Sequence, residues 1–265
     1  MNKILIGRYL PGNSIIHRLD PRGKIIFTII FVMIVFLANN LITYCLLLLF
    51  TLLLVHISKI SLSFFLSGMK SILFLILTVV GIQILFTDGG TVYFHWGFIW
   101  VTSMGLKGAL FMLMRLLVNI NISTVLTLTT SPLLIADSIE SLLKPLTYIG
   151  VPTSVIGLMI SIALRFIPTI ADSAQTIMNA QISRGVDFNA PSIKKRILNI
   201  IPLLVPLLES NFKMAEDLSI AMESRGYVPN AKRTKFRKLQ WQIIDTLSFV
   251  ILALLIIILW ILKEK

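Results

Sequence analysis

The sequence predicts an all-α polytopic membrane protein with about five transmembrane helices and a cytoplasmic arm of long amphipathic helices. Of its 265 residues, 56% are hydrophobic and only 14% are charged, and the mean hydropathy is +0.90. Soluble domains typically have about 45–50% apolar and about 25% charged residues, so both values indicate a protein solvated by lipid. At roughly 20 apolar residues per crossing, the chain has room for a handful of spans and one sizeable segment outside the membrane.

Five apolar segments are predicted to cross the membrane. The stretch 25–55 carries no charge, is too long for one upright helix, and is interrupted by the turn-forming residues Ala38-Asn39-Asn40. We therefore predict a hairpin of two short spans at about 24–38 and 41–57, with a single, strongly tilted span as the alternative. The other spans are predicted at about 70–88, 105–130 and 246–262.

Lysine and arginine predict the orientation. The segment before the first span has five basic residues, whereas the loop 88–104 has none, so the N-terminus is predicted to be cytoplasmic and this loop external. Two further apolar runs, 151–168 and 197–208, are predicted not to cross. If the first crossed alone, the segment 184–238, with eleven lysines and arginines, would lie outside.

These placements divide the chain into a four-span part at 1–130, a cytoplasmic arm at 131–238 and a last span within 239–265. Proline near helix starts and glycine just beyond helix ends predict arm helices at about 132–144, 153–184 and 191–225. We expect them at the cytoplasmic face, with their apolar sides against the spans or the lipid boundary. The basic run 232–238 is expected to contact anionic lipid, and no aromatic or base-reading element accompanies it to favour nucleic acid.

The tripeptide Ser-Arg-Gly ends both long helices of the arm. Taken singly, each copy is explained as a helix C-cap, with glycine just past the end and arginine facing the carbonyl end of the dipole. An exposed arginine on a rigid helix end also suits an acidic or carbonyl-lined groove on a partner. Two such ends indicate two equivalent docking sites for a pair of similar partners. The residues are Ser183, Arg184, Gly185, Ser224, Arg225 and Gly226.

Motifs for catalysis or cofactor binding are not found in the sequence. There is no G-x-x-x-x-G-K-[ST] loop for ATP, and His17, His56 and His95 lack metal-ligand spacing. The only cysteine, Cys45, rules out a disulfide within one chain. Arg115 is the only ionisable candidate at mid-membrane. We interpret the chain as a transducer without enzymatic activity, bound cofactor or metal.

Over its whole length, the sequence resembles the transmembrane T component of energy-coupling factor transporters, which are vitamin and transition-metal importers of the ABC class. The resemblance rests on GRYLPGNS at 7–14, HRLDPRGK at 17–24, the hairpin LANN at 37–40 and the two arginine triplets. It implies that Arg184 and Arg225 each dock into a groove on one of two homologous ATPase subunits. Those subunits, and not this chain, would bind ATP and magnesium.

The resemblance also implies a third kind of partner, a small membrane subunit that captures the substrate, in the cell membrane of a prokaryote. Apolar faces of the arm would pass the ATPase motion to that subunit. The residues predicted to contact it are Leu142, Leu146, Ile156, Met159, Ile160, Leu203, Leu204 and Leu207.

Several alternatives stay open. The family includes T components shared among substrate subunits and T components dedicated to cobalt or nickel uptake, and the absence of a His-rich segment favours the shared type. Two alternatives belong to other functional classes: a membrane scaffold for unrelated partners, and a carrier that transports its substrate without other subunits.

Overall fold

The computed structural model describes residues 9–60, 62–96, 99–188, 190, 192–229 and 239–262. The chain divides into two compact units, one of residues 1–135 with 237–265 and one of residues 136–236. The first two residues of GRYLPGNS, the whole basic run 232–238 and the tail 263–265 lie outside the described residues. The expectations that concern them stay predictions.

Helices form nearly all of the regular structure, which confirms the predicted all-α class. In chain order the elements are α1 (Ile15–Arg18), α2 (Pro21–Val35), α3 (Leu41–Ile57), α4 (Leu62–Phe86), β1 (Val92–Trp96), β2 (Ile99–Thr102), α5 (Ser103–Thr129), α6 (Pro132–Leu143), a 3₁₀ helix (Lys144–Ile149), α7 (Thr153–Ser183), α8 (Ile193–Ser224) and α9 (Ile243–Leu262).

The first apolar stretch folds as two helices, as predicted. Helix α2 ends at Val35 and α3 begins at Leu41, so a single continuous span is excluded. Asn40 sets the start of α3, because its N–H donates to Thr43 Oγ1 at 3.1 Å and the Thr43 hydroxyl donates back to its carbonyl at 2.6 Å. The first of these bonds pairs an N–H group that a helix start would otherwise leave without a partner.

The loop 88–104 contains a two-stranded antiparallel hairpin that the sequence analysis did not predict. Strand β1 pairs with β2, with His95 opposite Trp100 and Trp96 opposite Ile99. Both strands are rich in β-branched and aromatic residues, which was the available signal. Thr102 then starts α5: its Oγ1 accepts from Gly105 N at 3.0 Å and donates to Thr87 O at 2.8 Å.

The core of the first unit lies between α2, α3, α5 and α9. Its fully buried members include Phe31, Tyr44, Leu47, Val118 and Leu259, all with 2% exposure or less. Aromatic rings tie α2 to α3, since Phe31 stacks on Phe50 with centroids 5.7 Å apart. Helix α4 packs separately on α5, through a smaller cluster around Ile76, Val80 and Ala109.

The arm helices agree closely with the predicted bounds, and they raise a question of topology. Four helices of the described chain are long and apolar enough to cross a membrane, namely α5, α7, residues Lys194–Ser224 of α8, and α9. Length and composition therefore admit α7 and α8 as spans, whereas the distribution of basic residues predicts that they do not cross. Their place at the cytoplasmic face stays a prediction.

Candidate functional site

The two Ser-Arg-Gly triplets have the same local structure. In each, serine is the last helical residue, arginine is the C-cap, and glycine follows with a positive φ. The arginine backbones agree within a few degrees, with φ −86° and ψ 6° at Arg184 and φ −89° and ψ 10° at Arg225. The repeat in the sequence is therefore also a repeat in geometry.

Both helix ends form a Schellman motif, the paired hydrogen bonds that close a helix with a left-handed residue. At the end of α7, Gly185 N donates to Ile182 O at 2.9 Å and Val186 N donates to Gln181 O at 3.0 Å. At the end of α8, Gly226 N donates to Glu223 O at 2.9 Å and Tyr227 N donates to Met222 O at 3.0 Å. These bonds fix the direction in which each helix ends.

The glycines are required by backbone conformation and not by crowding. Gly185 has φ +87° and Gly226 has φ +74°, in the left-handed region that side chains with a Cβ disfavour. An added Cβ would meet no heavy atom within 4 Å at either position. A substitution there would strain the turn but would not collide with a neighbour.

Each arginine is exposed at its helix end. Neither Arg184 nor Arg225 makes a side-chain hydrogen bond or ion pair within the described part of the chain. The serine hydroxyls bond back into their own helices instead, Ser183 to Asn179 O and Ser224 to Ala221 O, both at 3.1 Å. The guanidinium groups are therefore available to carboxylates or carbonyl groups of another molecule.

The residues predicted to contact the substrate subunit divide into two groups. Leu146, Met159 and Leu204 are exposed, with 38%, 63% and 46% of their surface accessible. The remaining five are half-buried. They are Leu142, Ile156, Ile160, Leu203 and Leu207.

The exposed apolar surface of α8 is larger than the set of contact residues predicted from the sequence. A row of exposed apolar residues follows a helical repeat of three or four along this helix, so its members share one face. They are Ile197, Ile201, Val205, Leu208 and Phe212. The 3₁₀ helix adds Tyr148 and Ile149, which are 94% and 82% exposed. An apolar surface of this extent indicates contact with lipid or a partner.

The HRLDPRGK motif connects three distant segments of the first unit. Lys24 Nζ donates to Thr129 O at 3.2 Å and to Thr130 Oγ1 at 3.3 Å, at the end of α5. Asp20 caps α2 through Arg22 N at 2.9 Å, and its own N–H donates to Asp245 Oδ1 at 2.8 Å. The motif is thus explained by structure, because it joins the starts of α2 and α9 to the end of α5.

Arg115 pairs with a phenol and aromatic rings in the described structure. Its Nη2 and Nε donate to Tyr44 Oη at 2.7 and 3.2 Å, and its Cζ lies 5.0 Å from the Phe36 ring centroid. Because Phe36 is the C-cap of α2, the guanidinium lies beside the α2–α3 turn. This position suits a structural contact better than a substrate path through the span.

Comparison with known proteins gives matches over nearly the whole chain. A family model described as cobalt transport protein, CbiQ, matches residues 12–236. The energy-coupling factor transporter transmembrane protein EcfT of Streptococcus equi subsp. equi is 50% identical over 264 residues, which cover 100% of this chain and 98% of the relative. The EcfT of Streptococcus thermophilus is 48% identical, with 100% of both chains covered. The EcfT of Bacillus subtilis is 46% identical over 97% of this chain and 98% of its own.

Proposed function

Because the chain belongs to the family of energy-coupling factor transporter transmembrane proteins, we propose that it is the non-catalytic coupling subunit of an ATP-driven importer. In this role it transmits the motion of two ATPase subunits to a small membrane subunit that binds a vitamin or another micronutrient. The observation that carries the proposal is the matched pair of Schellman ends, each presenting one exposed arginine.

Each arginine end serves one ATPase in this proposal. A guanidinium offers five donors in a planar arrangement, which suits a groove lined by carboxylates or carbonyl groups. The Schellman bonds hold the end rigid, so a displacement of the docked ATPase moves the whole helix and not a loose loop. Since the two ends have the same backbone geometry, they fit two homologous subunits.

The apolar surface of the arm is the proposed contact with the substrate-binding subunit. Met159 and Leu204 are exposed members of the predicted set, and the α8 row from Ile197 to Phe212 enlarges it. Methionine side chains repack readily, which favours a surface that accepts several substrate subunits in turn. ATP and magnesium belong to the partner ATPases, and the arm and N-terminus face the cytoplasm of a prokaryotic cell in this arrangement.

A second candidate is a T component dedicated to cobalt or nickel uptake, which the family model described as cobalt transport protein favours. Among the described residues, no group of three His, Cys, Asp or Glu side chains could hold a metal ion. The metal would then be recognised by another subunit. Identification of the small membrane subunit that co-purifies with this chain separates the two candidates.

The proposal is tested by purifying the chain with its partners and comparing Arg184→Ala, Arg225→Ala and the double variant. Two P-loop ATPases are expected with the unmodified chain, and each single variant should weaken their association or lower uptake per ATP hydrolysed. Arg165→Ala is the matched control, because Arg165 is an exposed arginine within α7 and away from its end. Full uptake with the double variant would refute the docking role.

A further inference from the structure

Helix α8 has a carbonyl group without its usual intrahelical donor. Pro206 lies inside the helix and has no N–H, so the carbonyl of Pro202, four residues earlier, lacks the hydrogen bond that residue 206 of an α-helix normally donates to it. A half-buried carbonyl in this state needs another donor, since an unpaired polar group away from water is costly.

Gln181 of α7 supplies that donor. Its Nε2 donates to Pro202 O at 3.3 Å, and the Gln181 side chain is buried, with 9% exposure. A polar side chain near the end of one helix thus pairs with the carbonyl that a proline has freed in the next. Both residues belong to the same compact unit.

Gln181 also takes part in the turn that presents Arg184. Its backbone carbonyl accepts from Arg184 N at 3.1 Å and from Val186 N at 3.0 Å, which closes the Schellman motif. One residue therefore binds the arginine end of α7 through its backbone and the middle of α8 through its side chain. In α8 the equivalent position is Met222, whose thioether has no N–H to donate.

Helix α8 carries this contact on to the second arginine. From Pro202 to Arg225 the helix rises by about 34 Å, at about 1.5 Å per residue. The hydrogen bond of Gln181 connects the Arg184 end to the same helix that ends at Arg225. Helix α8 makes a second bond near this end, since Asn199 Nδ2 donates to Asp187 O at 2.6 Å, two residues beyond Gly185.

We propose that Gln181 is a positioning residue that locks the Arg184 end of α7 to α8, so that the two arginine ends move as one body. The inference rests on the proposed coupling function, since it assigns the two ends a common motion. It goes further by naming a bond between the two helices that contributes to the common motion and the proline that makes this bond available.

The two effects of the bond, pairing the carbonyl and joining the helices, are separable by mutation. Gln181→Met keeps the length of the side chain but removes the donor, so both effects are lost. In Gln181→Met with Pro206→Ala, residue 206 regains an N–H that donates to Pro202 O within α8. The carbonyl is then paired again, but the side chain of residue 181 still does not bond α7 to α8.

The experiment compares Gln181→Met, Pro206→Ala and the double variant in the assembled transporter, measuring thermal stability and substrate uptake per ATP hydrolysed. We expect Gln181→Met to lower stability and to reduce uptake per ATP by about fivefold, as for the loss of one hydrogen bond of ordinary strength. The double variant should regain stability but keep the low uptake per ATP. Recovery of uptake per ATP in the double variant would overturn the proposal, because pairing the carbonyl would then be the whole role of Gln181.

Gln175→Met is the matched control. Gln175 lies on the same helix, but its amide donates to Asn179 within α7 at 2.9 Å and so joins nothing to α8. This variant should keep uptake per ATP unchanged. A loss equal to that of Gln181→Met would mean that any glutamine substitution in α7 impairs transport, and it would contradict the assignment.

A distance measurement tests the bond without reference to the ATPases. Spin labels on cysteines at Ala180 and Ser210, both exposed, report the separation of α7 and α8 in the Cys45→Ala background. The distance distribution should broaden in Gln181→Met and in the double variant. An unchanged distribution would refute the lock, whereas full uptake with the variant that combines Arg184→Ala and Arg225→Ala would refute only the docking function.

Discussion

The backbone N–H of Asp20 donates to the carboxylate of Asp245 at 2.8 Å, across 225 residues of sequence. The second oxygen of Asp245 accepts from Gln242 N at 2.7 Å, so the carboxylate caps the start of α9 and also binds the residue before α2. Asp245 is 1% exposed, and Lys24 lies in the same buried cluster with 7% exposure. A single buried carboxylate thus joins the start of α2 to the start of α9 within the first unit.

Replacing Asp245 should destabilise the protein. Asp245→Ala leaves the N–H groups of Asp20 and Gln242 without their acceptor and removes a negative charge near Lys24. We therefore expect the free energy of unfolding to fall by about 2–4 kcal/mol. Asp245→Asn, which keeps one acceptor oxygen, should lose less. Thermal unfolding of the purified protein in detergent measures both, with the exposed Asp172→Ala as control. Equal unfolding temperatures for Asp245→Ala and the unmodified chain would contradict the structural role.

Alanine in place of either triplet glycine should destabilise the helix end, although an added Cβ would meet no neighbouring atom. Gly185→Ala and Gly226→Ala each place a Cβ on a residue with positive φ, at a cost of about 1–2 kcal/mol. We expect the last turn of the helix to exchange its amide hydrogens faster and ATPase association to weaken.

Gly150→Ala is the control for those two variants. Gly150 has φ +89° and open space around an added Cβ, as Gly185 and Gly226 have, but no arginine precedes it. The strain should be similar and the association with ATPases unaffected. If Gly150→Ala reduced association as much as Gly185→Ala, general loss of stability and not the arginine end would explain the effect.

Gly12 and Gly23 should respond in opposite ways to the same substitution. A Cβ at Gly12 would lie 2.9 Å from Cε1 of His17, whose ring is held by Ser14 Oγ and Leu10 O. Gly12→Ala should therefore destabilise by about 1–3 kcal/mol. At Gly23 the nearest atoms are 3.6 Å away, and alanine favours the helix, so Gly23→Ala should be neutral or stabilising. The unfolding temperatures of the two variants test this prediction. A higher unfolding temperature for Gly12→Ala than for Gly23→Ala would contradict the packing around His17.

Cysteine labelling in intact cells tests the predicted orientation. Cys45 is exposed in the structure and must first be replaced by alanine. A cysteine at Thr91, before the β-hairpin, should react with a membrane-impermeant reagent added outside, and one at Ser192, between α7 and α8, should react only after the membrane is opened. External labelling at Ser192 would show that α7 crosses the membrane, as its length and composition admit.

Local features of the sequence were sufficient to predict the helices and the two arginine ends. Pro132, Gly185 and Gly226 act on their own backbone, so the arm helices predicted at 153–184 and 191–225 are observed as Thr153–Ser183 and Ile193–Ser224. The third span, predicted at 70–88, corresponds to the apolar part Ile72–Phe86 of α4, and the helix itself begins earlier, at Leu62. The β-hairpin was missed because hydropathy does not separate a short apolar strand from a loop.

Composition and interactions within a few residues were enough to specify the membrane class, the helical framework and the paired Ser-Arg-Gly ends. Which polar groups meet depends instead on the packing of the helices. The pairing of Asp245 with Asp20, and of Gln181 with the carbonyl that Pro206 frees, joins residues on different helices. Such contacts depend on how helices pack side by side, and no periodicity along a single helix specifies them.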